Sequence, residues 1–412
     1  MTKSAPVNEN QPLLRSLNRR AFVRLLGTAG AGALASPMRM SAALNGLDAS
    51  APRLVRFPEK TDLILLTDRP PLLETPLHYF RQDLTPNEAF FVRWHLSGIP
   101  TTVDLRTFRL QIGGHVERPL TLSVADLRQQ FEPVSLIAVN QCSGNSRSLY
   151  QPRVPGGQWG NGAMGNARWT GVRLRDLLDK AGVKAGAVDV KLDALDGPPL
   201  PSTPDFTKSL AIDHARDGEV MVAYDMNGAP PPMLNGFPLR LVVPGWYATY
   251  WVKALNEITV LPEAFRGFWM EKAYRIPTTP NADESPDHLA TQTVPINRFS
   301  LRSLFVRPEP DEHLYAGQVF EAQGLALDSG YGITRVELST DDGATWQATQ
   351  LDPELGKYSW RRWRFAWRPA ARGTYRLKVR AFNAAGETQT TAQWNHGGYM
   401  RNVIEATQVE VL

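Results

Sequence analysis

Residues 139–148 read Val139-Asn140-Gln141-Cys142-Ser143-Gly144-Asn145-Ser146-Arg147-Ser148, an apolar, strand-like start that breaks into a turn of Gly, Asn and Ser carrying a cation. Cys142 is the single cysteine of the 412-residue chain, so it forms no intramolecular disulfide. Its thiol can lose a proton beside a cation or a metal, and a soft thiolate suits a transition metal. The alternative is a small buried hydrophobe, the usual role of a free cysteine. Because turn and cation residues follow it, we predict that Cys142 faces a site.

Ordered motifs on both sides of Cys142 resemble those of the sulfite oxidase family of molybdenum enzymes. They are an aromatic-Val-Arg-x-His motif within residues 90–95, then residues 156–160, 168–174, 224–228 and 235–240, and finally Tyr274 after a Trp-rich run. The likeness covers nearly all of the chain beyond the first 43 residues, and it is nearest to bacterial periplasmic sulfite dehydrogenases. It implies oxidation of sulfite to sulfate at a molybdenum–molybdopterin cofactor, a pyranopterin dithiolene.

The resemblance implies roles for five residues on the substrate side. Cys142 would be the only protein ligand of the metal, and Arg93 and Arg147 would bind the anionic substrate, for which guanidinium groups are well suited. Tyr274 would place its hydroxyl near the transferable oxygen, and Trp159 would wall the substrate pocket. Taken alone, each arginine could be a solvated charge, Tyr274 a packing residue and Trp159 a buried core indole.

The resemblance also implies a set of residues that contact the cofactor. His95 would form hydrogen bonds near the substrate or the cofactor without ligating the metal; the alternative is an ordinary core histidine. Arg240 and Lys253 would supply positive charge for the cofactor phosphate. The complete set is Phe91, Arg93, His95, Cys142, Asp196, Asn235, Arg240 and Lys253.

The sequence departs from the animal sulfite oxidases at two cationic positions. Their third arginine follows a Trp-Asn pair near the C-terminus, whereas Trp394-Asn395 is followed here by His396. Where those enzymes place a lysine before the pocket tryptophan, this chain has Pro155. Lower local charge predicts weaker sulfite binding or a different sulfur substrate.

The N-terminus reads as an export signal covering residues 1–43. A twin-arginine pattern around Arg19-Arg20 precedes a short apolar run at 25–34 and small residues suited to signal peptidase. The apolar run is too short to span a bilayer. The alternative is a basic amphipathic helix. We therefore predict export of the folded protein to the periplasm.

Charge and length limit the remaining possibilities. Residues 1–43 carry a net charge of +5, more than the +4 of the whole chain, so the remainder is close to neutral and gives no electrostatic case for nucleic-acid binding. A chain of 412 residues exceeds the usual size of one hydrophobic core, which predicts two domains.

The pattern of secondary structure predicts an α+β protein. Residues 51–283 would form a mixed α+β molybdopterin-binding domain, with strands near 108–112, 134–139, 188–192 and 239–243 and helices near 123–130 and 174–181. A proline-punctuated stretch at 278–286 reads as a linker. Residues 290–412 would form an all-β immunoglobulin-like sandwich, with strands near 319–327, 333–339, 346–350, 358–367, 374–382 and 407–412. The resemblance implies that this sandwich serves dimerisation.

Electrons must leave the reduced site through another protein, because one cysteine cannot supply the Cys-x-x-Cys-His motif of a covalent haem. We predict a c-type cytochrome as the acceptor, either a permanent subunit or a transient partner, and either a homodimer or a heterodimer. Two alternatives to sulfite oxidation remain open. One is a sulfane dehydrogenase or sulfoxide reductase of the same fold, and the other is a non-catalytic secreted binding protein built on the sandwich.

Overall fold

The computed structural model describes residues 52–310 and 312–412, so the predicted export signal at 1–43 lies outside the described residues. The described part is mostly β-sheet with a few short helices, which confirms the predicted α+β class followed by a β-sandwich. No helix in this part is long and apolar enough to cross a membrane.

The first portion of the chain forms three larger sheets and one strand pair. Their orders are β1-β2-β3-β4, β10-β9-β13-β5-β6, β12-β11-β8-β7 and β14-β15. The strands are β1 (Leu54–Arg56), β2 (Asp62–Asp68), β3 (Pro71–Glu74), β4 (Val92–Arg93), β5 (Leu110–Gly114), β6 (Leu120–Leu122), β7 (Val134–Gln141), β8 (Met164–Arg173), β9 (Asp189–Ala194), β10 (Lys208–Ala211), β11 (Met221–Met226), β12 (Arg240–Val242), β13 (Leu255–Leu261), β14 (Arg275–Pro277) and β15 (Thr293–Pro295). Only β13 and β5 pair in parallel, and the other ladders of these sheets are antiparallel.

The helices are short and sit between strands. They are α1 (Val124–Gln130), α2 (Leu174–Ala181), α3 (Ile212–Ala215) and α4 (Phe268–Glu271), with 3₁₀ turns at Leu77–Arg81, Asn87–Ala89, Arg147–Leu149, Met233–Asn235, Ala248–Tyr250 and Pro280–Ala282. The Ser123 hydroxyl accepts the Asp126 backbone N–H, and the Asp126 carboxylate accepts the Ser123 N–H, a reciprocal cap that begins α1. Gly182 in the left-handed region ends α2.

The second portion is a sandwich of two four-stranded antiparallel sheets, ordered β16-β17-β21-β20 and β19-β18-β22-β23. Its strands are β16 (Arg302–Arg307), β17 (Phe320–Leu327), β18 (Ile333–Ser339), β19 (Gln347–Ala348), β20 (Gln350–Leu351), β21 (Arg361–Trp367), β22 (Gly373–Asn383) and β23 (Glu405–Val411). Along β22 and β23 buried and exposed side chains alternate, because each strand turns one face to the sandwich core.

The hairpin after β18 differs in one respect from the strands that the sequence predicts. The turn forms at Asp342 and Gly343, which both adopt positive φ (58° and 93°). Residues 346–350, predicted as one strand, are divided between the two sheets: β19 pairs with β18, and β20 pairs with β21. A period-two pattern of side chains does not reveal that a strand changes sheets, because both sheets bury alternate residues.

The antiparallel pair β7–β8 is the frame that positions Cys142. The two strands pair from Val134↔Gly171 to Gln141↔Met164, and the Trp169 indole donates to the Ala138 carbonyl at 3.1 Å. Cys142 follows the last paired residue, and its N–H donates to the Ala163 carbonyl at 2.9 Å. The cysteine therefore begins a loop that is anchored to the end of the ladder.

The two portions share a continuous apolar core. Leu304, Leu325, Leu327 and Trp360 of the sandwich are buried in the same cluster as the strands β7, β8 and β11. The remaining sandwich core, around Trp363, is separate. One sheet of the sandwich is therefore buried on both faces, by the sandwich core and by the first portion of the chain.

The stretch at 278–286, which its prolines predict as a linker, is packed against the end of the chain. The Glu284 N–H donates to the Trp394 carbonyl at 2.8 Å, and the Trp394 N–H donates to Asp283 Oδ1 at 2.8 Å. Asn395 Nδ2 donates to the carbonyl of the buried Ala282 at 3.1 Å. The segment at 394–400 is thereby held on the first portion of the chain.

A buried ion pair of the sandwich, whose arginine also donates to Asn161 of the first portion, gives a test of this packing. Arg302 donates to Glu405 at 2.8 Å and to Asn161 at 3.2 Å, and the two charged side chains are 1% and 7% exposed. We expect Glu405→Ala to lower the free energy of unfolding by about 3–5 kcal/mol, because it leaves a buried guanidinium without its carboxylate. Urea denaturation measures this change. The control is Glu410→Ala, an exposed carboxylate on the same strand; equal effects of the two changes would contradict the prediction.

Candidate active site

Cys142 lies where two cavities meet. A narrow inner cavity is lined by Phe91, Arg93, His95, Asn140, Cys142, Ser143, Phe206, Asn235, Arg240, Ala248, Thr249, Lys253 and Tyr274. A larger outer cavity shares Arg93, Cys142 and Tyr274 with it and adds Arg147, Trp159, Trp269, His396, Gly397 and Tyr399. The structure thus brings ten of the eleven predicted site residues to the walls of two adjoining cavities, and Asp196 is the exception.

The inner cavity is lined by buried polar atoms that lack partners. Asn140 Nδ2, Ser143 Oγ, Arg240 Nε and Thr249 Oγ1 have no hydrogen-bond partner within the described residues. A buried polar group without a partner costs about 1–3 kcal/mol. Four such atoms around one cavity indicate that a polar group fits there.

Arg240 and Asn235 form the polar floor of the inner cavity. Arg240 begins β12 and donates to the Asn235 carbonyl and to Asn140 Oδ1, both at 3.0 Å. The Asn235 amide is engaged by the protein, since it donates to the Phe91 carbonyl at 3.0 Å and accepts from the Lys60 ammonium at 2.7 Å. Asn235 therefore braces its neighbours in addition to lining the cavity.

Lys253 and Asp196 are linked by charge. Burial and, to a smaller extent, the charge of Arg240 lower the pKa of Lys253 to about 7, while the charge of Asp196 opposes the shift. Burial raises the pKa of Asp196 to about 6, against the charge of Lys253. Asp196 follows β9 and is buried, but it lines neither cavity. Its charge is coupled to that of Lys253, which does line the inner cavity, and its predicted contact with a cofactor stays a prediction.

A histidine–tyrosine pair spans the junction of the cavities. His95 Nε2 and the Tyr274 hydroxyl are 2.5 Å apart, and Arg93 donates to that hydroxyl at 3.4 Å. Burial lowers the pKa of His95 well below its usual value, and the charges of Arg93 and two lysines add to this, so the imidazole is neutral. Burial raises the pKa of Tyr274. A neutral imidazole and a protonated phenol at this distance can pass a proton between them.

Aromatic rings hold this pair in place. Phe206 stacks on His95 with ring centroids 3.6 Å apart, and Tyr399 stacks on Tyr274 at 5.6 Å. Tyr274 adopts φ +57°, a left-handed conformation that non-glycine residues rarely take. This strained backbone conformation is typical of functional sites, and it cannot be predicted from the sequence.

Arg147 occupies a slot walled by glycines. A Cβ at Gly144, Gly156 or Gly398 would lie 2.6–2.9 Å from its side chain, too close for any other residue. The guanidinium donates to the Gly397 carbonyl from Nε at 3.2 Å and from Nη2 at 2.9 Å. The predicted anion-binding arginine is thus 8% exposed, fixed, and held by neutral acceptors.

Trp159 serves as both a core residue and a cavity wall. It is 1% exposed, lines the outer cavity and meets Phe91 edge-on at 6.4 Å. The Glu74 carboxylate holds its loop, accepting the N–H groups of Gly160 at 2.9 Å and Gly162 at 2.8 Å. The two roles that the sequence left open therefore coexist.

The two positions where the sequence departs from the animal enzymes both line the outer cavity. Pro155 contributes an apolar surface there. His396 stands at the rim with its side chain 51% exposed, and its ring is paired with Glu284. The third arginine of the animal enzymes is thus not simply missing here, because the ionisable side chain of His396 lies at the same cavity.

Two buried lysines near the site are not predicted from the sequence. Lys60 is 5% exposed and donates to Asn235, and Lys208 is fully buried and donates to the Trp269 carbonyl at 2.7 Å. The Lys208 ammonium also lies 4.5 Å from the ring centroid of Tyr250 and 5.5 Å from that of Tyr274. Burial lowers the pKa of each lysine to about 7. No local sequence signal marks them, because their burial arises from distant parts of the chain.

The donor set as a whole suits an anionic, metal-bearing group. Cations at Arg93, Arg240 and Lys253 surround a cavity that ends at one thiol. Among the described residues no group of three or more His, Cys, Asp or Glu side chains lies together. A metal at Cys142 would therefore need further ligands from outside the described side chains.

Comparison with known proteins agrees with this arrangement. The oxidoreductase molybdopterin binding domain matches residues 96–269, and the Mo-co oxidoreductase dimerisation domain matches residues 293–411. Mitochondrial sulfite oxidase of Macaca fascicularis is 32% identical over 97% of this chain and 74% of that protein. Sulfite oxidase of Arabidopsis thaliana is 31% identical over 66% of this chain and 72% of that protein.

A solved structure shares the fold over nearly the whole chain. The sulfane dehydrogenase SoxCD from Paracoccus pantotrophus superposes with a TM-score of 0.73 over 98% of this chain and 97% of that chain. The identity is 22%, so this likeness concerns the fold.

Lys208 gives a prediction of pH dependence. Its pKa is about 7 in the folded protein and about 10.4 when unfolded, so between these values the unfolded chain binds one more proton and the free energy of unfolding rises with pH. Below about pH 7 the buried ammonium lowers the free energy of unfolding by its full amount. Above that pH, Lys208 makes the free energy of unfolding rise by up to about 1.4 kcal/mol per pH unit.

We expect Lys208→Met to remove that slope in the cofactor-free protein. Urea denaturation at about pH 7, 8 and 9 measures it. The control is Lys272→Met, an exposed lysine. Parallel pH dependence of wild type and Lys208→Met would show that Lys208 is not buried as a neutral amine.

Proposed function

The chain belongs to the sulfite oxidase family of molybdopterin-binding oxidoreductases, and we propose that it oxidises sulfite to sulfate in the periplasm and passes the electrons to a c-type cytochrome. The observation that carries this proposal is the position of Cys142, whose thiol lies between a polar inner cavity and a cationic outer cavity. One cavity suits a cofactor and the other a small anion.

The family implies a molybdenum–molybdopterin cofactor, and the inner cavity fits it. Arg240 and Lys253 would hold its phosphate, the unpartnered atoms of Asn140, Ser143 and Thr249 would bond its polar edges, and Cys142 would ligate the metal. When bound, the cofactor supplies the two-electron redox change and the oxygen transfer that no side chain can perform.

The protein's own part is to bind the anion and move a proton. Arg93 and Arg147 face the outer cavity with N–H groups in fixed positions, which orient an oxyanion beside Cys142. Neutral His95 and the Tyr274 hydroxyl provide a path for a proton away from that point. Trp159, Trp269 and Tyr399 limit the access of water.

A second candidate is oxidation of a larger sulfur substrate, as in a sulfane dehydrogenase. The outer cavity is the larger of the two, and with the apolar Pro155 and with His396 at its rim it favours this alternative. Steady-state rates with sulfite, thiosulfate and a protein-bound sulfane as substrates would separate the two. A higher kcat/KM for sulfite than for either competitor supports the proposal, and the reverse order replaces it.

The proposed location and partners rest on other parts of the chain. The twin-arginine pattern at residues 1–43 supports export, and the match to a dimerisation domain at 293–411 supports a dimer through the sandwich. The single cysteine cannot supply the Cys-x-x-Cys-His motif of a covalent haem in this chain, which supports the proposal of a separate cytochrome as acceptor.

Cys142→Ser tests the proposed metal ligand. A hydroxyl is harder and far less acidic than a thiol, so we expect loss of more than about 95% of sulfite oxidation with the circular dichroism spectrum unchanged. Activity is measured with cytochrome c as acceptor, and molybdenum by elemental analysis. Cys142→Ala is the matched variant without any ligand atom. Substantial activity in either variant would make Cys142 a packing residue.

A twin-arginine substitution tests the proposed location. Arg19→Lys together with Arg20→Lys keeps the charge but removes the pattern that the export machinery reads, so we expect the enzyme to accumulate in the cytoplasm. Activity in periplasmic and cytoplasmic fractions measures the outcome. The control is Arg15→Lys, which lies outside the pair. Normal periplasmic activity of the double variant would refute the export signal.

A further inference from the structure

His396 stands at the rim of the outer cavity on a segment that the sandwich contributes to the site. The segment is fixed to the first portion of the chain: the Trp394 indole donates to the Pro152 carbonyl at 2.8 Å, and the Gly397 carbonyl accepts from Arg147. The cavity below His396 is lined by Cys142 and Arg147. The half-exposed imidazole therefore lines the same cavity as Cys142 and Arg147.

Glu284 clamps the His396 ring in one orientation. Its Oε1 accepts the His396 backbone N–H at 2.8 Å and lies 2.5 Å from Nδ1, and its Oε2 accepts the Ala290 N–H at 2.8 Å. The carboxylate is 2% exposed. Burial opposes ionisation, but the hydrogen bonds from Ala290 and His396 outweigh it and lower the pKa of Glu284.

This clamp fixes which ring nitrogen carries the proton. An ionised carboxylate only accepts hydrogen bonds, so Nδ1 must be the donor. Nε2 has no partner within residues 52–310 and 312–412. A histidine held through Nδ1 by a buried carboxylate, with Nε2 free at a cavity, is the arrangement of a general base.

We propose that His396, oriented by Glu284, takes the proton of hydrogen sulfite at the cavity rim and then binds the sulfite dianion as an imidazolium. The inference rests on the proposed function. The bond between the proton and hydrogen sulfite breaks, an N–H bond forms at Nε2, and no electrons are transferred. The negative charge of Glu284 stabilises the imidazolium, and the imidazolium joins Arg93 and Arg147 around the dianion.

The other charged and titratable groups around His396 fit this role. Asp283 is occupied by the Trp394 N–H at 2.8 Å, and Arg147 is held on the Gly397 carbonyl beside the histidine. Burial raises the pKa of Tyr399 and of Tyr274, so both phenols stay protonated on the cavity wall. Arg93 and Arg147 favour an arriving anion, and Glu284 balances the charge of a protonated His396.

Proton uptake on anion binding tests the inference directly. Sulfate, the dianionic product of the proposed reaction, is titrated into the oxidised, cofactor-loaded enzyme in buffers of different ionisation enthalpy. We expect binding near neutral pH to take up a substantial fraction of one proton in the wild type and none in His396→Gln. The control is His288→Gln, an exposed histidine in the same stretch as Glu284. Equal proton uptake in wild type and His396→Gln, or none in wild type, overturns the inference.

The pH profile of sulfite oxidation gives a second readout. We expect kcat/KM of His396→Gln to fall ~10-fold at about pH 7, where hydrogen sulfite and a neutral imidazole coexist, and the deficit to shrink towards pH 9, where sulfite arrives without its proton. His396→Arg restores a cation but not a base, so its profile should also rise with pH, and Glu284→Gln should behave like a weaker His396→Gln. A deficit of His396→Gln that is the same at every pH would overturn the inference.

The two outcomes distinguish this inference from the proposed function. If the wild type oxidises no sulfite yet takes up a proton with sulfate and His396→Gln does not, the proposed function fails and the anion-linked base stands. If sulfite is oxidised with His396→Gln indistinguishable from wild type, the function stands and the base is refuted.

Discussion

The site depends on an excess of buried positive charge. Arg93, Arg147, Arg240, Lys208 and Lys253 lie within or beside two adjoining cavities; Arg147, Arg240 and Lys208 are buried, and Arg93 and Lys253 are partly buried. Taking an ammonium or guanidinium out of water costs several kcal/mol unless a partner restores the interaction. The lowered pKa values of Lys208 and Lys253 reflect this cost of burial. The fold therefore holds a place for negative charge, which the phosphate of the cofactor and the proposed oxyanion substrate would supply.

The cations are fixed without being neutralised. Lys208 donates to a main-chain carbonyl and faces two tyrosine rings, Arg147 donates to Gly397, and Arg240 donates to Asn235 and Asn140. Carbonyls, amides and aromatic faces satisfy donors while leaving the net charge intact. Asp196 beside Lys253 is the one carboxylate that acts on the inner cavity, and burial raises its pKa. Carboxylate partners for every cation would have given a more stable site that binds anions poorly.

Sequence patterns predicted features formed by neighbouring residues, such as helices, but not contacts between residues far apart in the chain. Helix α2 has its predicted bounds and α1 begins one residue later than predicted, because apolar periodicity and capping residues are adjacent in the chain. The motif around Cys142 identified the inner and outer cavity walls. By contrast, Lys208 meets Trp269, and Glu284 meets His396, across 61 and 112 residues. Such partners have no shared pattern, so their burial and their hydrogen bonds emerge only when the chain is folded.

The glycine slot around Arg147 has a thermodynamic consequence. A free arginine side chain carries about 2 kcal/mol of rotamer entropy, and an anion that captured it from solution would lose that amount of affinity. Here Gly144, Gly156 and Gly398 enclose the side chain and Gly397 anchors its head before any ligand arrives. The ordering occurs during folding, so the bound anion gains the full attraction of an immobilised cation. Fast turnover of a weakly held substrate benefits from a receptor that does not have to reorganise in each cycle.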